Sequence, residues 1–373
     1  MAKENTNLFV SITILSITLL MMSQAIGSTV IKPRLYDGTI NELGRYAFTF
    51  DAYEYIEQNS EDAVIAIGSS KMREIFDGLQ IGNSTSSSND FFNLAYAGDR
   101  PYVRMIEIDA IIRTNPKMVI MEMGPNVLSS LSTPIPDSII GRMAQLMSLN
   151  SEWSEQSWNE IILEEDREIL PMTKLEQIRH HANYTPEALE STLNYEFELQ
   201  EQPYSCDRET GTVRCVPLSD STDYEQYIRY PIQFRNSLKS IKEGNSKWTI
   251  DEFYGAKLDS YLAGSYHNPE GKINKNQIAF EFMIERLIEN EIEVMLVGLP
   301  YNPVLIDRLS EHQWDYYNAT IEQYRLQYDI AIIDYLWNED WIEEDFNDYT
   351  HASREGELKF AEKISPHIDE ILS

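Results

Sequence analysis

The chain has 373 residues, of which 42% are hydrophobic and 11% aromatic, which is enough apolar surface for one large core or two ordinary ones. With only 16 glycines and 15 prolines, the composition excludes a disordered or fibrous protein. The formal net charge of −31 would repel a phosphate backbone, so the composition argues against nucleic-acid binding. A multi-span membrane protein is excluded because only one segment is long and apolar enough to cross a bilayer.

That segment is residues 8–31, which carry no charged side chain. Its apolar centre, residues 8–22, has about the length of a signal-peptide core, and the whole segment reaches the ~20 residues that a spanning helix needs. The small-residue sequence Ala25-Ile26-Gly27 would suit cleavage by a signal peptidase. We favour an uncleaved membrane anchor over residues 1–31, with a cleaved signal peptide as the alternative. Both interpretations place the rest of the chain outside the cytoplasm.

The two cysteines favour the same compartment. Cys206 and Cys215 lie in a polar stretch that contains Gly211, which suits a hairpin closed by a disulfide in an oxidising environment. Two unpaired thiols are the alternative. Metal binding is less favoured, because no second pair of Cys or His residues stands at ligand spacing. The sequence therefore predicts neither a metal nor a cofactor.

Five short apolar runs predict buried strands: residues 63–67, 91–95, 118–123, 293–299 and 330–335. Most are separated by helix-like stretches, such as residues 100–113 and 276–290, and residues 353–372 have the pattern of a closing amphipathic helix. Strands that are apolar on both faces and alternate with helices predict a mainly parallel, five-stranded sheet covered on two sides, an α/β fold.

Residues 128–275 differ in composition from the flanking segments: they are rich in Glu, Ser, Tyr and Trp and contain no run typical of a buried strand. Helical patterns occur at residues 139–149 and 186–199. We predict a large, mostly helical insertion between two parts of one domain, residues 50–127 and 276–373. Its aromatic side chains either pack the insertion together or stack on sugar rings; they are Trp153, Trp158, Tyr204, Tyr227, Tyr230, Trp248, Tyr254 and Tyr261.

The turns after the predicted strands contain the residues suited to chemistry, because ligands of open α/β sheets bind outside the carboxyl ends of the strands. Ser70 follows the first strand in a Gly-Ser-Ser sequence, Gly98 follows the second, and Asn126 follows the third in a Gly-Pro-Asn sequence. Asp348 and His351 stand three residues apart, just before the last helix.

Together these residues supply what acyl transfer needs. Ser70 can attack a carbonyl carbon if His351 removes its proton, and Asp348 can hold His351 in the tautomer that accepts that proton. The resulting oxyanion would be held by the N–H groups of Ser70 and Gly98 and by the side chain of Asn126.

These blocks, in this order, resemble those of the SGNH (GDSL-type) hydrolases and acyltransferases, a family named for a Ser, a Gly, an Asn and a His. The resemblance covers residues 62–127 and 294–372. It implies a flavodoxin-like three-layer α/β/α sandwich and catalytic roles for Ser70, Asp348 and His351. Two positions depart from the family pattern: Ser69 stands where an aspartate is usual, and Val127 follows the third-block Asn where an Asp is usual. The Gly-Ser-Ser form resembles membrane-anchored branches, including the protein of teichoic-acid D-alanine transfer and enzymes that acylate extracellular polysaccharides.

The leading hypothesis is therefore an extracytoplasmic serine O-acyl esterase or O-acyltransferase that acts on an acylated cell-surface glycan or a small ester. Hydrolysis and transfer share one acyl-enzyme, so the sequence leaves both open. The alternative is a catalytically inactive glycan-binding or scaffold protein of the same fold, which the substitution at Ser69 motivates. A phosphate-binding module is less favoured, because the first loop is not glycine-rich and lacks a Gly-Lys-Ser/Thr sequence.

Other candidates are weaker. The adjacent pair His180-His181 points in two directions on a helix, which favours a solvated pair over metal ligands. His267 would either line the substrate site or have a structural role. Arg100 and Arg104 would bind an anionic substrate or lie on the surface of a helix.

Overall fold

The structure is a computed structural model in which residues 10–16, 18, 42–96, 98–129, 143, 147, 153–168, 170, 228–229, 237–259, 262, 274–336 and 340–373 are described. Its centre is a five-stranded, all-parallel sheet with the strand order β2-β1-β3-β4-β5. The strands are β1 Ala63–Ile67, β2 Asp90–Asn93, β3 Met118–Met123, β4 Glu293–Gly298 and β5 Ala331–Asp334. This order is that of flavodoxin-like sheets, so the predicted fold class is confirmed.

Helices cover the sheet within the described residues. In the first part of the chain they are α1 Glu42–Asn59, α2 Ser70–Ile75, α3 Gly78–Ser84, α4 Pro101–Arg104 and α5 Ile108–Arg113, with a 3-10 turn at Met105–Glu107. Between β3 and β4 lie α6 Glu155–Glu160, α7 Glu164–Arg167, α8 Ser237–Lys242, α9 Ile250–Glu252 with a π turn at Phe253–Lys257, and α10 Lys275–Glu289. The last are α11 Pro303–Ile306, α12 Glu311–Gln327 and α13 Arg354–Leu372, with a 3-10 turn at Glu343–Asp345.

The sheet separates two hydrophobic cores, because successive side chains of a strand point to opposite faces. Ile65 and Leu296 belong to the core that contains α1, α4, α5, α10 and α12. Val64 and Val297 belong to the core that contains α2, α3 and α13. These two layers of helices on a central sheet make the three-layer sandwich.

The central strands agree most closely with the sequence-based boundaries. β1 and β3 match the predicted runs, and every residue of both strands is buried. β2 and β4 are one residue shorter than predicted and β5 is two residues shorter, and β2 begins one residue before the predicted run. The predicted helix at residues 100–113 is instead two helices joined by a 3-10 turn, and α1 begins at Glu42, before the predicted domain start at residue 50.

The insertion and the amino terminus are described only in part. Residues 10–16 and 18 are helical. Within the described residues, no helix has the length and apolarity needed to span a membrane. The described segments of the insertion are largely helical. Cys206, Cys215, His180-His181 and His267 lie outside the described residues.

Candidate active site

The turns that follow β1, β2 and β3 meet at the carboxyl edge of the sheet, as parallel strands require. The backbone N–H of Tyr96 donates to the carbonyl oxygen of Gly68 at 3.0 Å, which ties the second turn to the first. In the third turn, the N–H of Leu128 donates to the carbonyl oxygen of Gly124 at 3.0 Å. The parallel pairing of β1 with β2 and β3 brings the segments that contain Ser70, Gly98 and Asn126 to one edge.

Ser70 is the first residue of α2, and a short helix of this kind is stable only if its ends are capped. At the amino end, the Ser69 side chain accepts a hydrogen bond from the N–H of Lys71. At the carboxyl end, the Asn93 amide donates to three backbone carbonyl oxygens, those of Met72, Arg73 and Phe76. Ser70 itself is half-buried, so its hydroxyl has a fixed backbone and access to solvent.

The loop that contains Asp348 and His351 is closed by its own backbone. Phe346 and Ala352 form an antiparallel bridge, and the N–H of Asn347 donates to the carbonyl oxygen of His351 at 2.8 Å. The Asp348 Oδ1 accepts from the backbone N–H groups of Thr350 and His351, both at 2.8 Å. This turn holds the aspartate in one orientation before α13 begins.

Part of the insertion packs directly on this loop. The N–H of Leu238, in α8, donates to the carbonyl oxygen of Asn347 at 2.7 Å. The ring of Phe253 lies 5.7 Å from the ring of Tyr349, which stands between Asp348 and His351. The insertion therefore helps to hold the loop in place.

Ser70, His351 and Asp348 form a continuous hydrogen-bonded chain. The Ser70 Oγ lies 2.7 Å from the His351 Nε2, and the His351 Nδ1 lies 2.8 Å from the Asp348 Oδ2. Both distances fall within hydrogen-bonding range. This is the arrangement of nucleophile, base and orienting carboxylate that serine acyl transfer requires.

The pair of His351 and Asp348 is strongly coupled. Burial favours the neutral ring, but the negative charges of Asp348 and Glu74 outweigh it and raise the pKa of His351 to about 9. Burial likewise favours the neutral carboxyl group, but the charge and hydrogen bond of His351 outweigh it and lower the pKa of Asp348 to about 2. His351 therefore binds its second proton tightly in the resting site, and its neutral, proton-accepting form prevails above pH 9.

The two further residues predicted for the oxyanion also lie at this edge. Gly98 has a φ of +63°, a left-handed conformation that glycine adopts without strain, and it is exposed. Asn126 is 8% exposed, and its side-chain Oδ1 accepts hydrogen bonds from two other side chains.

Those two donors, Lys71 and Tyr301, were not predicted as site residues, and neither was Glu122 beside them. The Lys71 Nζ lies 2.7 Å from the Asn126 Oδ1, 2.8 Å from the Tyr301 hydroxyl and 3.1 Å from the Glu122 Oε1. One signal was present in the sequence: Glu122 is the one charged residue of the otherwise apolar strand β3, and a buried carboxylate needs a partner.

The interpretations of Arg104 were both wrong. It is 2% exposed, so it neither lies on the helix surface nor reaches a substrate. Its guanidinium binds Asp99 and Glu107, each at 2.8 Å, and donates to the carbonyl oxygen of Leu94. Arg104 thus holds together the two ends of the turn that contains Gly98.

Several aromatic residues of the insertion belong to the core. Trp158 is buried, and Trp153 and Tyr254 pack against the core, whereas Trp248 is 42% exposed. The four tyrosines Tyr204, Tyr227, Tyr230 and Tyr261 lie outside the described residues. Within the described part of the chain, no group of three or more His, Cys, Asp or Glu side chains is placed to hold a metal ion.

No protein-family model matches this sequence, and no curated protein matches it. The interpretation of the site therefore depends on its own geometry.

Proposed function

We propose that the protein is a serine O-acyl esterase or O-acyltransferase that works through an acyl-enzyme on Ser70. The observation that supports this most directly is the continuous chain from the Ser70 Oγ through both ring nitrogens of His351 to the Asp348 carboxylate, with contacts of 2.7 Å and 2.8 Å. A serine that only caps a helix needs no such base, and a surface histidine needs no such carboxylate.

In the first half-reaction, the Ser70 Oγ attacks the carbonyl carbon of an ester, and the His351 Nε2 takes the hydroxyl proton. The charged ring is stabilised by Asp348, which keeps its own negative charge. The oxyanion is stabilised by the N–H groups of Ser70 and Gly98 and by the Asn126 amide. The C–O bond to the leaving alcohol then breaks, and His351 returns the proton to that alcohol.

In the second half-reaction, an acceptor hydroxyl attacks the acyl-enzyme while His351 removes its proton. If water is the acceptor, the products are a carboxylic acid and free Ser70. If a sugar hydroxyl is the acceptor, the product is a new ester. The site residues have the same roles in both cases, so esterase and acyltransferase activities are proposed together.

We propose an acylated cell-surface glycan as the substrate class and an extracytoplasmic location. The uncharged segment at residues 8–31 supports an anchor or a signal peptide, and the insertion provides additional surface beside the loop of His351. The protein would then act on esters at the outer face of the membrane.

The direct test is labelling with a fluorophosphonate probe, which reacts with serines activated by a base. The wild-type chain should be labelled, and Ser70→Ala should not. Ser70→Ala should also lower turnover of p-nitrophenyl acetate by on the order of 10⁴-fold or more. His351→Ala should have a similar effect, because the serine then lacks its base.

A matched control is Ser84→Ala, which removes a serine at the exposed end of α3. This variant should be labelled like the wild type. Equal labelling of Ser70→Ala and wild type, or full activity of His351→Ala, would exclude the proposed mechanism. Glycan binding without labelling at any pH would favour the non-catalytic alternative.

A further inference from the structure

Next to the nucleophile lies a buried group of charged and polar side chains to which the acyl-transfer steps assign no role. Lys71, Glu122 and Tyr301 are almost completely buried, at 3%, 2% and 0% exposure. The Lys71 Nζ has three acceptors within 3.1 Å: Asn126 Oδ1, the Tyr301 hydroxyl and Glu122 Oε1. Three acceptors satisfy all three N–H bonds of the ammonium group.

This arrangement determines which way the Asn126 amide faces. A lysine ammonium group is only a donor, so the atom of Asn126 that faces it must be the carbonyl oxygen. The Tyr301 hydroxyl also donates to that oxygen, at 2.5 Å, while it accepts from Lys71. The amide NH₂ group is therefore directed away from Lys71, and among the described residues it makes no hydrogen bond of its own.

The backbone of Asn126 is held as firmly as its side chain. Its carbonyl oxygen accepts from the guanidinium of Arg100 and, at 2.7 Å, from the hydroxyl of Ser129. With the carbonyl oxygens of both the backbone and the side chain engaged, the amide NH₂ group is held as a donor in a fixed orientation. A donor held in place before the reaction stabilises an oxyanion without the cost of reorganisation.

Glu122 connects this group to the nucleophile. Its Oε2 accepts from the backbone N–H of Ser69 at 2.5 Å, and its Oε1 accepts from the Ser69 hydroxyl at 3.0 Å. The same carboxylate neutralises Lys71. One buried carboxylate therefore fixes the turn before Ser70 and the lysine that directs Asn126.

We infer that Lys71 is a positioning residue, which together with Tyr301 directs the amide NH₂ of Asn126 toward the oxyanion, while Glu122 holds Lys71 in place. This inference rests on the proposed acyl-transfer function. It adds to that function a reason for a lysine directly after the nucleophile and for a charged residue inside a buried strand.

The test begins with Lys71→Met, which keeps an unbranched side chain as far as the ε position and removes the ammonium group. We expect kcat for p-nitrophenyl acetate to fall by about tenfold to a hundredfold with KM changed by less than about threefold, because the lost interaction acts on the transition state. The matched control is Lys275→Met. Lys275 is an equally buried lysine whose ion-pair partners, Asp166 and Glu165, belong to α7, and kcat of this variant should stay within about twofold of wild type.

The decisive measurement is a double-mutant cycle with Asn126→Ala. If Lys71 acts through Asn126, Lys71→Met has nothing left to disturb in the Asn126→Ala background, so the double variant should be no slower than Asn126→Ala alone. If the two losses multiply in full, Lys71 acts independently of Asn126 and the inference is overturned. A role in folding alone would give such multiplication, since stability effects do not depend on the oxyanion donor.

Tyr301→Phe provides a second route if Lys71→Met does not fold. It removes one donor to the Asn126 Oδ1 and leaves the Lys71–Glu122 pair intact. We expect a smaller loss of kcat that likewise disappears in the Asn126→Ala background. A wild-type kcat for both Tyr301→Phe and Lys71→Met, in a chain that Ser70→Ala inactivates, would refute the positioning role and leave the proposed function standing. Activity of Ser70→Ala would instead refute the proposed function itself.

Discussion

Two buried lysines of this protein, Lys71 and Lys275, each pair with a buried carboxylate in a group that also contains a tyrosine hydroxyl, but the two groups lie at different places in the fold. Lys71 contacts the Glu122 carboxylate at 3.1 Å and the Tyr301 hydroxyl at 2.8 Å. Lys275 contacts the Asp166 carboxylate at 2.8 Å, and that carboxylate accepts from the Tyr102 hydroxyl at 2.7 Å. All four charged side chains are less than one-tenth exposed, so in each case the ion pair has to offset the cost of removing two charges from water.

The difference lies in what else each lysine contacts. The remaining N–H of Lys71 reaches Asn126, an amide at the candidate active site. Lys275 reaches both carboxylate oxygens of Asp166 and has Glu165 at 3.4 Å, so its contacts join α10 to the insertion helix α7. A buried ion pair therefore does not by itself indicate a function. The additional partner determines whether the pair stabilises a connection between elements or orients a group that acts on substrate.

The largest expected effect is the loss of stability in Lys275→Met. Removal of the lysine leaves Asp166 buried and without its counter-charge, which typically costs about 3–5 kcal/mol. Urea unfolding should show this decrease in the free energy of unfolding, and hydrogen exchange should become faster in α7 and α10. If kcat of the folded variant also falls as it does in Lys71→Met, the distinction between the two lysines is wrong.

The control for this variant is Lys117→Met. Lys117 pairs with Asp62 at 3.4 Å, with both side chains more than half exposed. Exposed pairs contribute about 0–1 kcal/mol, so the free energy of unfolding should change by no more than that. A comparable loss in both variants would mean that burial does not determine the energy of these pairs.

A second prediction concerns the carboxylate that supports Lys71. In Gly68→Ala, the added Cβ would lie 2.6 Å from the Glu122 Cβ and 2.6 Å from its Oε2, so Glu122 has to move. We expect a loss of about 1–3 kcal/mol in the free energy of unfolding from overpacking, together with a lower kcat. Denaturation curves and p-nitrophenyl acetate kinetics measure the two effects.

Gly82→Ala is the matched control, because the new Cβ would meet only the Phe91 ring at 3.4 Å, an ordinary contact. Gly82 lies within α3, where alanine is favoured over glycine by about 1 kcal/mol, so this variant should be as stable as the wild type or more stable. A stable and fully active Gly68→Ala would show that the site tolerates displacement of Glu122.

The parts of the fold that could be predicted from the sequence are those in which local pattern and burial agree. Strand β1 is entirely apolar and strand β3 is apolar except for Glu122, and both lie inside a parallel sheet, so composition alone predicts where they begin and end. Helices α1 and α12 were missed because their patterns are weakly amphipathic: α12 combines charged residues with tyrosines, and its packing depends on partners distant in sequence.

The same division applies to the candidate site. Ser70, Asn126 and the Asp348–His351 pair follow predicted strands or precede a predicted helix, so their meeting at one edge follows from the topology. Lys71 and Tyr301 could not be paired in advance, because 230 positions separate them and neither stands in a recognisable motif. Arg104 was misinterpreted because its partners Asp99 and Glu107 turn a helix position that looks exposed into a buried one.

The raised pKa of His351 predicts how both activity and stability change with pH. Because the pKa of His351 is raised to about 9, the neutral base becomes more abundant as the pH rises, and kcat/KM should increase about tenfold per pH unit up to a plateau above pH 9. Stability changes in the opposite direction. The folded-state pKa of His351 lies above the ordinary value of 6.5, so the stabilisation that comes from its raised pKa is lost as the pH rises from 6.5 through 9. The lowered pKa of Asp348, about 2, means that its contribution is lost only in acid, as the pH falls from 3.8 toward 2.

The smallest expected effect is a shift of that profile in Glu74→Gln. The charge of Glu74 contributes to the raised pKa of His351, so its removal should move the midpoint of the kcat/KM profile to lower pH without lowering the plateau. Glu293→Gln is the control, because Glu293 is exposed at the start of β4, on the opposite edge of the sheet. If both variants shift the profile equally, the effect comes from the net charge of −31 and not from a carboxylate beside the imidazole. A shift confined to Glu74→Gln would show that His351 titrates in the local field of its neighbours, as a base in direct contact with Ser70 should.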